Sequence, residues 1–264
     1  MAICVSLLLG KPPTPGSLLA EVIENLTDRG DRVEVLLPHE QSVDPEALSD
    51  RDLVVHRGLH TTLTPLLGTI HERGIPLCTP FAADEALRDR RSWRRQLLAA
   101  GLPLPPAEEP DDWRAVLESG RDREIVVKAL SGPGRGSQVL AGTAGTLPAD
   151  APFPGPYLIE PRLVAENIDR KLYLAGDTVR GLLKPSTLTH AHVPTGEVFA
   201  PEDELVELAL EVGRVLDGHL CGVDVLRTPE GPVIIDVNAF PGFRGVAEAP
   251  ELVAAHLREH ARSA

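Results

Sequence analysis

VIIDVNAFPGF, residues 233–243, decides how the rest of the chain is read. Three β-formers lead into Asp236, Asn238 follows two residues later, and the Pro-Gly pair at 241–242 breaks the run. Residues i and i+2 of a strand share a face, so Asp236 and Asn238 can present oxygen atoms to one point. Carboxylate and amide oxygens, completed by water and phosphate, are the ligands a hard cation such as Mg²⁺ takes. A strand end whose Asp and Asn only start a turn is the competing reading. The two are separated by what the remaining residues offer.

GVDVL at 222–226 sets Asp224 between valines, a second carboxylate in an apolar strand. A hairpin turning at 228–231 brings it close to Asp236, where two like charges raise each other's pKa. A divalent cation removes that repulsion, so Asp224, Asp236 and Asn238 form a candidate Mg²⁺ cage with positions left open for phosphate. Further upstream, SGPGRGSQVL at 131–140 spaces Gly132, Gly134 and Gly136 by two, with Ser131 and Ser137 flanking. Such a run lets backbone N–H groups close on an anion. It lacks the Gly-Lys-Ser/Thr ending of a Walker loop, and an ordinary hairpin loop is its plainer reading. Lys128 interrupts the apolar strand EIVVKAL, which is costly unless its charge is paired, for example by a nucleotide phosphate.

Lysine usage sharpens this. Of 26 basic residues only four are lysine: Lys11, Lys128, Lys171 and Lys184. In a chain so biased to arginine, positions that keep a compact point charge invite a functional question. Lys171 and Lys184 lie on the two arms of one predicted hairpin, within reach of a metal-held phosphate. Arg244, just after PGF, can join them or grip an anionic substrate, and Arg57 at the end of DLVVHRG faces the same presumed cleft. His190 and His192 alternate in a polar segment that reads as solvated loop rather than metal site.

Composition bounds the partners. A formal charge of −13 argues against nucleic-acid and anionic-membrane surfaces. Cys4, Cys78 and Cys221 sit in or beside apolar runs without metal-ligand spacing, the pattern of reduced thiols in a cytoplasmic protein. The apolar run at 2–9 lacks a basic flank and is too short to span a bilayer.

Along the chain, strands at 2–9, 32–38, 52–58 and 76–80 alternate with helices at 17–29 and 64–73, which predicts a parallel, Rossmann-like sheet. No GxGxxG follows the first strand, so a dinucleotide site there is disfavoured. A helix over 84–100, a short helix at 111–118 and a strand at 124–130 follow. Next come a strand at 156–164, a hairpin at 170–185 turning at Gly176-Asp177, a helix over 203–216 and a closing helix at 249–261. The segment 186–203 shows little periodicity. Three units are expected: 1–83, 84–150 and 151–264.

IVVKALSGPGRGSQV, YLIEPRL, DRKLYLAGD, GVDVL and VIIDVNAFPGF together resemble the ATP-grasp superfamily, over roughly residues 84–246. DVNAFPGF is similar to the terminal motif of ribosomal-protein-type glutamate ligases and of inositol trisphosphate kinases. The resemblance implies an α/β and α+β chain: an ATP-grasp fold behind an N-terminal Rossmann-like, pre-ATP-grasp domain. It implies ATP and Mg²⁺ as cofactors. Lys128 would contact the α/β-phosphates, and the loop 131–137 would cover them. Glu160, Pro161, Arg162 and Leu163 would form the hinge that meets adenine, mostly by backbone, with Glu166 or a neighbour at the ribose. Lys171 would lie near the γ-phosphate, and Asp224, Asp236 and Asn238 would bind two magnesium ions. Arg90 or Arg91 stands where the family usually has a second lysine. Asp236 replaces the glutamate common in the ligases, and 186–200 lacks their Arg-x-Asn pattern.

The expected activity is an ATP- and Mg²⁺-dependent carboxylate-amine ligase working through an acylphosphate, with Lys171, Lys184 and Arg244 supplying charge and alignment. Its substrates would be small-molecule or peptide carboxylates and amines, and a homodimer is possible. The alternative is a small-molecule kinase of the same fold, acting on a polyol or inositol phosphate. Asp236 favours that alternative, but it needs more basic residues in the acceptor pocket than the sequence supplies.

Overall fold

A computed structural model describes residues 1–130, 132, 138–166, 168–186, 188 and 196–263. The N-terminal strands β1 (Cys4–Leu9), β2 (Arg32–Leu36), β3 (Leu53–Arg57) and β4 (Leu77–Cys78) form a parallel sheet in the order β2-β1-β3-β4. Near-continuous burial of β1 and β3 is what a parallel sheet covered on both faces requires. Helix α1 (Leu18–Asp28) is capped by Ser17, whose Oγ accepts from the Ala20 amide, and α2 (Thr64–Glu72) precedes β4.

Two antiparallel sheets follow. The smaller, β6-β5-β7, is built from β5 (Ile125–Ala129), β6 (Val139–Gly142) and β7 (Tyr157–Pro161). Helix α5 (Trp113–Ser119) packs Trp113 and Val116 into its core. The larger sheet contains β8 (Ile168–Ala175), β9 (Thr178–Pro185), β10 (Glu197–Phe199), β11 (Leu220–Thr228) and β12 (Gly231–Ala239), in the order β10-β9-β8-β11-β12. Helix α6 (Asp203–Leu216) buries Leu205, Leu208, Ala209 and Val212 against it. The closing helix α7 (Ala249–Ser263) turns back onto α1, so Val253 and Leu257 share a cluster with Val22 and Leu26.

Two local expectations are corrected. The helix expected over 84–100 is two helices, α3 (Phe81–Arg88) and α4 (Arg90–Ala99). Asp89 adopts extended geometry between them, and its side chain accepts from the Arg91 amide as the cap of α4. The backbone N–H of Arg90 donates to Leu130 O at 3.1 Å, which docks the start of α4 under the end of β5. The segment 186–203 also contains a strand, β10, pairing with β9 through Val198 and Leu182. Three residues at a sheet edge are too few to show alternation.

Candidate active site

The larger sheet carries a row of charges across one face. Lys171 on β8 lies opposite Asp224 on β11, and Asp224 lies opposite Asp236 on β12. Two residues earlier on β8, Asp169 lies opposite Lys184 on β9. Alternation along each strand keeps all five on the same face. The hairpin through 228–231 therefore does bring the two aspartates together, and Asn238 follows Asp236 on that face.

These carboxylates are held by cations. Lys171 Nζ donates to Asp224 Oδ2 at 2.5 Å. Arg90, itself 1% exposed, reaches Asp236 with Nη2 at 3.1 Å and Nε at 3.3 Å. Its Nη1 donates to Ala129 O at 2.5 Å, so one guanidinium ties the two antiparallel sheets together. The break at Asp89 is what delivers Arg90 to this point. Burial pushes the Asp224 carboxyl above its usual range, and Asp236 and Asp169 push the same way; Lys171 opposes them. Burial works against the Lys171 ammonium too, but Asp224 and Asp169 raise its pKa nonetheless. With 2.5 Å between them, the charged pair is the state this geometry supports. Asp169 is also raised by burial, offset by Lys171, a hydrogen bond from Ser186, Lys184 and Lys128.

On the smaller sheet, Lys128 and Glu160 are diagonal neighbours on β5 and β7. Lys128 Nζ lies 2.6 Å from Glu160 Oε2 and donates to Ile235 O at 2.7 Å. The other oxygen of Glu160 takes Arg94 Nη1 at 2.5 Å, and Arg94 Nη2 donates to Pro105 O at 2.6 Å. Glu160 therefore contributes its buried carboxylate as a counterion to two cations, alongside its place in the expected hinge. Pro161, Arg162 and Leu163 continue along the rim of the same cleft, and Glu166 stands there paired with Arg170 at 2.6 Å.

These groups line a chain of cavities. The first, about 220 Å³, lies between the two antiparallel sheets and has Lys128, Glu160, Lys171, Lys184, Asp224 and Asp236 in its walls. Val126, Val139, Leu226 and Ile235 supply its apolar surface, the kind of slot a purine ring needs. The second, about 480 Å³, shares Lys171, Lys184 and Asp224 with the first and adds Asn238, Tyr173 and Arg244. The third, about 810 Å³, shares Arg244 with the second and runs to the ends of β1 and β3. Gly132 is described, exposed and at φ +97°. Ser131, Gly134, Gly136, Ser137, His190 and His192 lie outside the described residues.

The oxygen set fits magnesium in kind. Two carboxylates on paired strands and an amide two residues on are hard donors, and Mg²⁺ commonly takes one or two carboxylates with water and phosphate. Among the described residues no group of three His, Cys, Asp or Glu converges as a metal cage. Water and nucleotide oxygens would complete the coordination around Asp224, Asp236 and Asn238.

Asp169 was not among the sequence candidates, although its spacing of two from Lys171 in DRK places both on one face. Arg90 was legible only as a substitute for a family lysine; its grip on Asp236 was not.

A family profile described as RimK-like ATP-grasp domain matches residues 191–256. A RimK domain protein ATP-grasp from Sphaerobacter thermophilus superposes with a TM-score of 0.75 at 20% identity, over 97% of this chain and 99% of that one. The ATP-grasp ligase PsnB, complexed with a precursor variant, Mg and ADP, superposes with a TM-score of 0.72 at 18% identity, over 98% and 99%. A probable alpha-L-glutamate ligase from Xanthomonas euvesicatoria pv. vesicatoria is 26% identical over 205 residues, 70% of each chain. The fold is that of the ATP-grasp structures, behind a Rossmann-like sheet. Within that fold, this chain resembles the RimK-like glutamate ligases.

Proposed function

We propose that this chain is an ATP- and Mg²⁺-dependent ligase that joins a carboxylate to an amine. The observation that carries the reading is the row Lys171–Asp224–Asp236 across three strands, placed where the cleft between the two antiparallel sheets opens into the second cavity. Lys128 would hold the inner phosphates, exchanging part of its contact with Glu160 for them. Adenine would enter the slot bounded by Val126, Leu226 and the 160–163 edge, with Glu166 at the ribose. Asp224, Asp236 and Asn238 would hold magnesium, whose role is to neutralise phosphate charge. Lys171 and Lys184 stand at the junction of the two cavities, where a substrate carboxylate would meet the terminal phosphate. Attack by the carboxylate would give an acylphosphate and ADP. An amine would then displace phosphate, with Lys171 and Lys184 stabilising the anionic side of that exchange and Arg244 gripping the anionic substrate. The loop 131–137 belongs to the same reading as the phosphate cover.

The names of the relatives support ligase chemistry, and the PsnB complex with Mg and ADP supports the cofactors. They do not favour the kinase alternative. The lobes 1–83, 84–150 and 151–264, a cytoplasmic location and a homodimer belong to the same proposal. Among the described residues no helix is long and apolar enough to cross a membrane. An ¹⁸O-labelled carboxylate substrate tests the reaction class. Label recovered in inorganic phosphate, together with ADP, is the expected result. Label retained by the substrate, with phosphate transferred to a hydroxyl, would establish the kinase instead.

A further inference from the structure

None of Lys128, Glu160, Lys171, Asp224 and Asp236 lines the third cavity. It lies between the ends of β1 and β3, the first turn of α1 and the loop after β12. Arg57, at the end of β3, reaches into it. Its Nε donates to Phe240 O at 2.9 Å, and its guanidinium carbon lies 5.3 Å from the Phe240 ring centre. Those contacts fix the plane of the guanidinium, and among the described residues neither terminal nitrogen makes a hydrogen bond. Arg244 stands on the other side of Gly242: a side chain there would meet Arg57 Nη2 at 3.5 Å and Arg244 Cγ at 3.6 Å. Among the described residues no carboxylate lies within 4.0 Å of either guanidinium. Burial, and then the charge of Arg244, lower the pKa of Arg57. Two like charges converge on the 810 Å³ cavity.

Gly10 explains how the arrangement is kept. Its N–H donates to Arg57 O at 3.0 Å, and a Cβ there would fall 1.9 Å from Gly58 O. The loops after β1 and β3 are thus held in contact, with Arg57 at the seam. Glu21, on the first turn of α1, and Lys11, on the loop after β1, line the same cavity with opposite charges, so the two arginines set its balance. A carboxylate, singly charged and matched to a planar guanidinium, fits the balance.

We propose that Arg57 and Arg244 form a clamp for a second carboxylate of the substrate, remote from the carboxylate that is activated. The substrate is then an extended acidic molecule, reaching from the Lys171–Asp224 junction through the second cavity to the end of β3. This rests on the ligase reading of the adjoining site. Arg57 acts as a specificity-determining residue and takes no part in phosphoryl transfer.

Titration calorimetry without nucleotide tests it, using glutarate, its neutral isostere glutaramide and inorganic phosphate as probes. Wild type should bind glutarate at least tenfold more tightly than glutaramide or phosphate. Arg57→Gln should lose at least tenfold, and Arg57→Lys should regain part of the loss. Arg244, exposed, gives a second variant, Arg244→Gln, whose folding does not depend on the seam and which should also lose several-fold. Unchanged glutarate affinity in both glutamine variants would overturn the proposal. So would equal binding of glutaramide, preference for phosphate, or no glutarate binding by folded wild type. A separate titration with an ATP analogue distinguishes failure of the ligase reading, since nucleotide binding does not enter the glutarate result.

Discussion

At the scale of single residues, the site is built from buried charges that answer one another. Glu160 serves both Arg94 and Lys128, and all three are nearly buried. Removing the shared carboxylate leaves two cations uncompensated, which costs about 3–5 kcal/mol. Glu160→Ala should therefore lose stability on that order in urea unfolding, and a loss below about 1 kcal/mol would show that the network is not integral. His256 makes a different test. Burial pushes its pKa down to about 4, and the neighbouring His260 and His219 push the same way. Its Nε2 is buried without a hydrogen-bond partner. The unfolded chain takes up a proton near pH 6.5 while the folded one resists until about 4. Stability should thus be unaffected above about pH 6.5 and fall as pH drops toward 4, by about 3 kcal/mol in total. His256→Gln should flatten that limb of the pH–stability curve; an unchanged slope would contradict the assignment. The sequence identified Lys128, Lys171, Asp224 and Asp236 because a charge inside an apolar strand is conspicuous. It did not show the role of Glu160 as counterion, because the ion pair joins strands 32 residues apart in the chain.

At the scale of elements, hairpins and amphipathic helices were readable because their signals are local. Asp203–Leu216 follows the apolar spacing residue for residue, and both hairpins turn where Gly and Asp or Pro allow. The break at Asp89 was missed because the apolar pattern runs on through it; only the capping Asp and the Arg after it mark the new start. Asp89→Ala should cost about 1 kcal/mol through the lost cap and, by loosening the approach of Arg90, weaken nucleotide binding as well. Gly213 shows packing overruling propensity. Alanine in the middle of a helix gains about 1 kcal/mol over glycine. Here, however, its Cβ would lie 2.4 Å from Leu174 Cδ2 in the core, and overpacking costs about 1–3 kcal/mol. Gly213→Ala should be net destabilising in thermal unfolding; a raised melting temperature would show that Leu174 gives way freely.

At the scale of the whole molecule, three sheets are locked by a few long-range ties. Arg90 joins the two antiparallel sheets, and α7 returns the C-terminus to the Rossmann-like sheet. Val253 and Leu257 are fully buried there, and burying two such side chains contributes about 3–6 kcal/mol. That is a large share of a typical domain's 5–15 kcal/mol. A chain ending at Glu248 should lose cooperative unfolding of its N-terminal half, as followed by hydrogen exchange on β1 and β3. No sequence pattern announces such ties, since each depends on the packing of segments far apart. The continuity of the three cavities was likewise invisible until the sheets were placed.

A nucleotide–metal site on the face bearing Asp224, Asp236 and Asn238 has a direct signature in binding. Titration calorimetry with a non-hydrolysable ATP analogue, with and without Mg²⁺, tests it on wild type, Asp236→Asn and Asn238→Ala, the last leaving the Arg90–Asp236 pair in place. Binding to wild type should tighten at least tenfold with Mg²⁺, and both variants should lose that increment while they remain folded. Folded wild type that binds no nucleotide, or binds it equally with and without Mg²⁺ and in all three proteins, would contradict it.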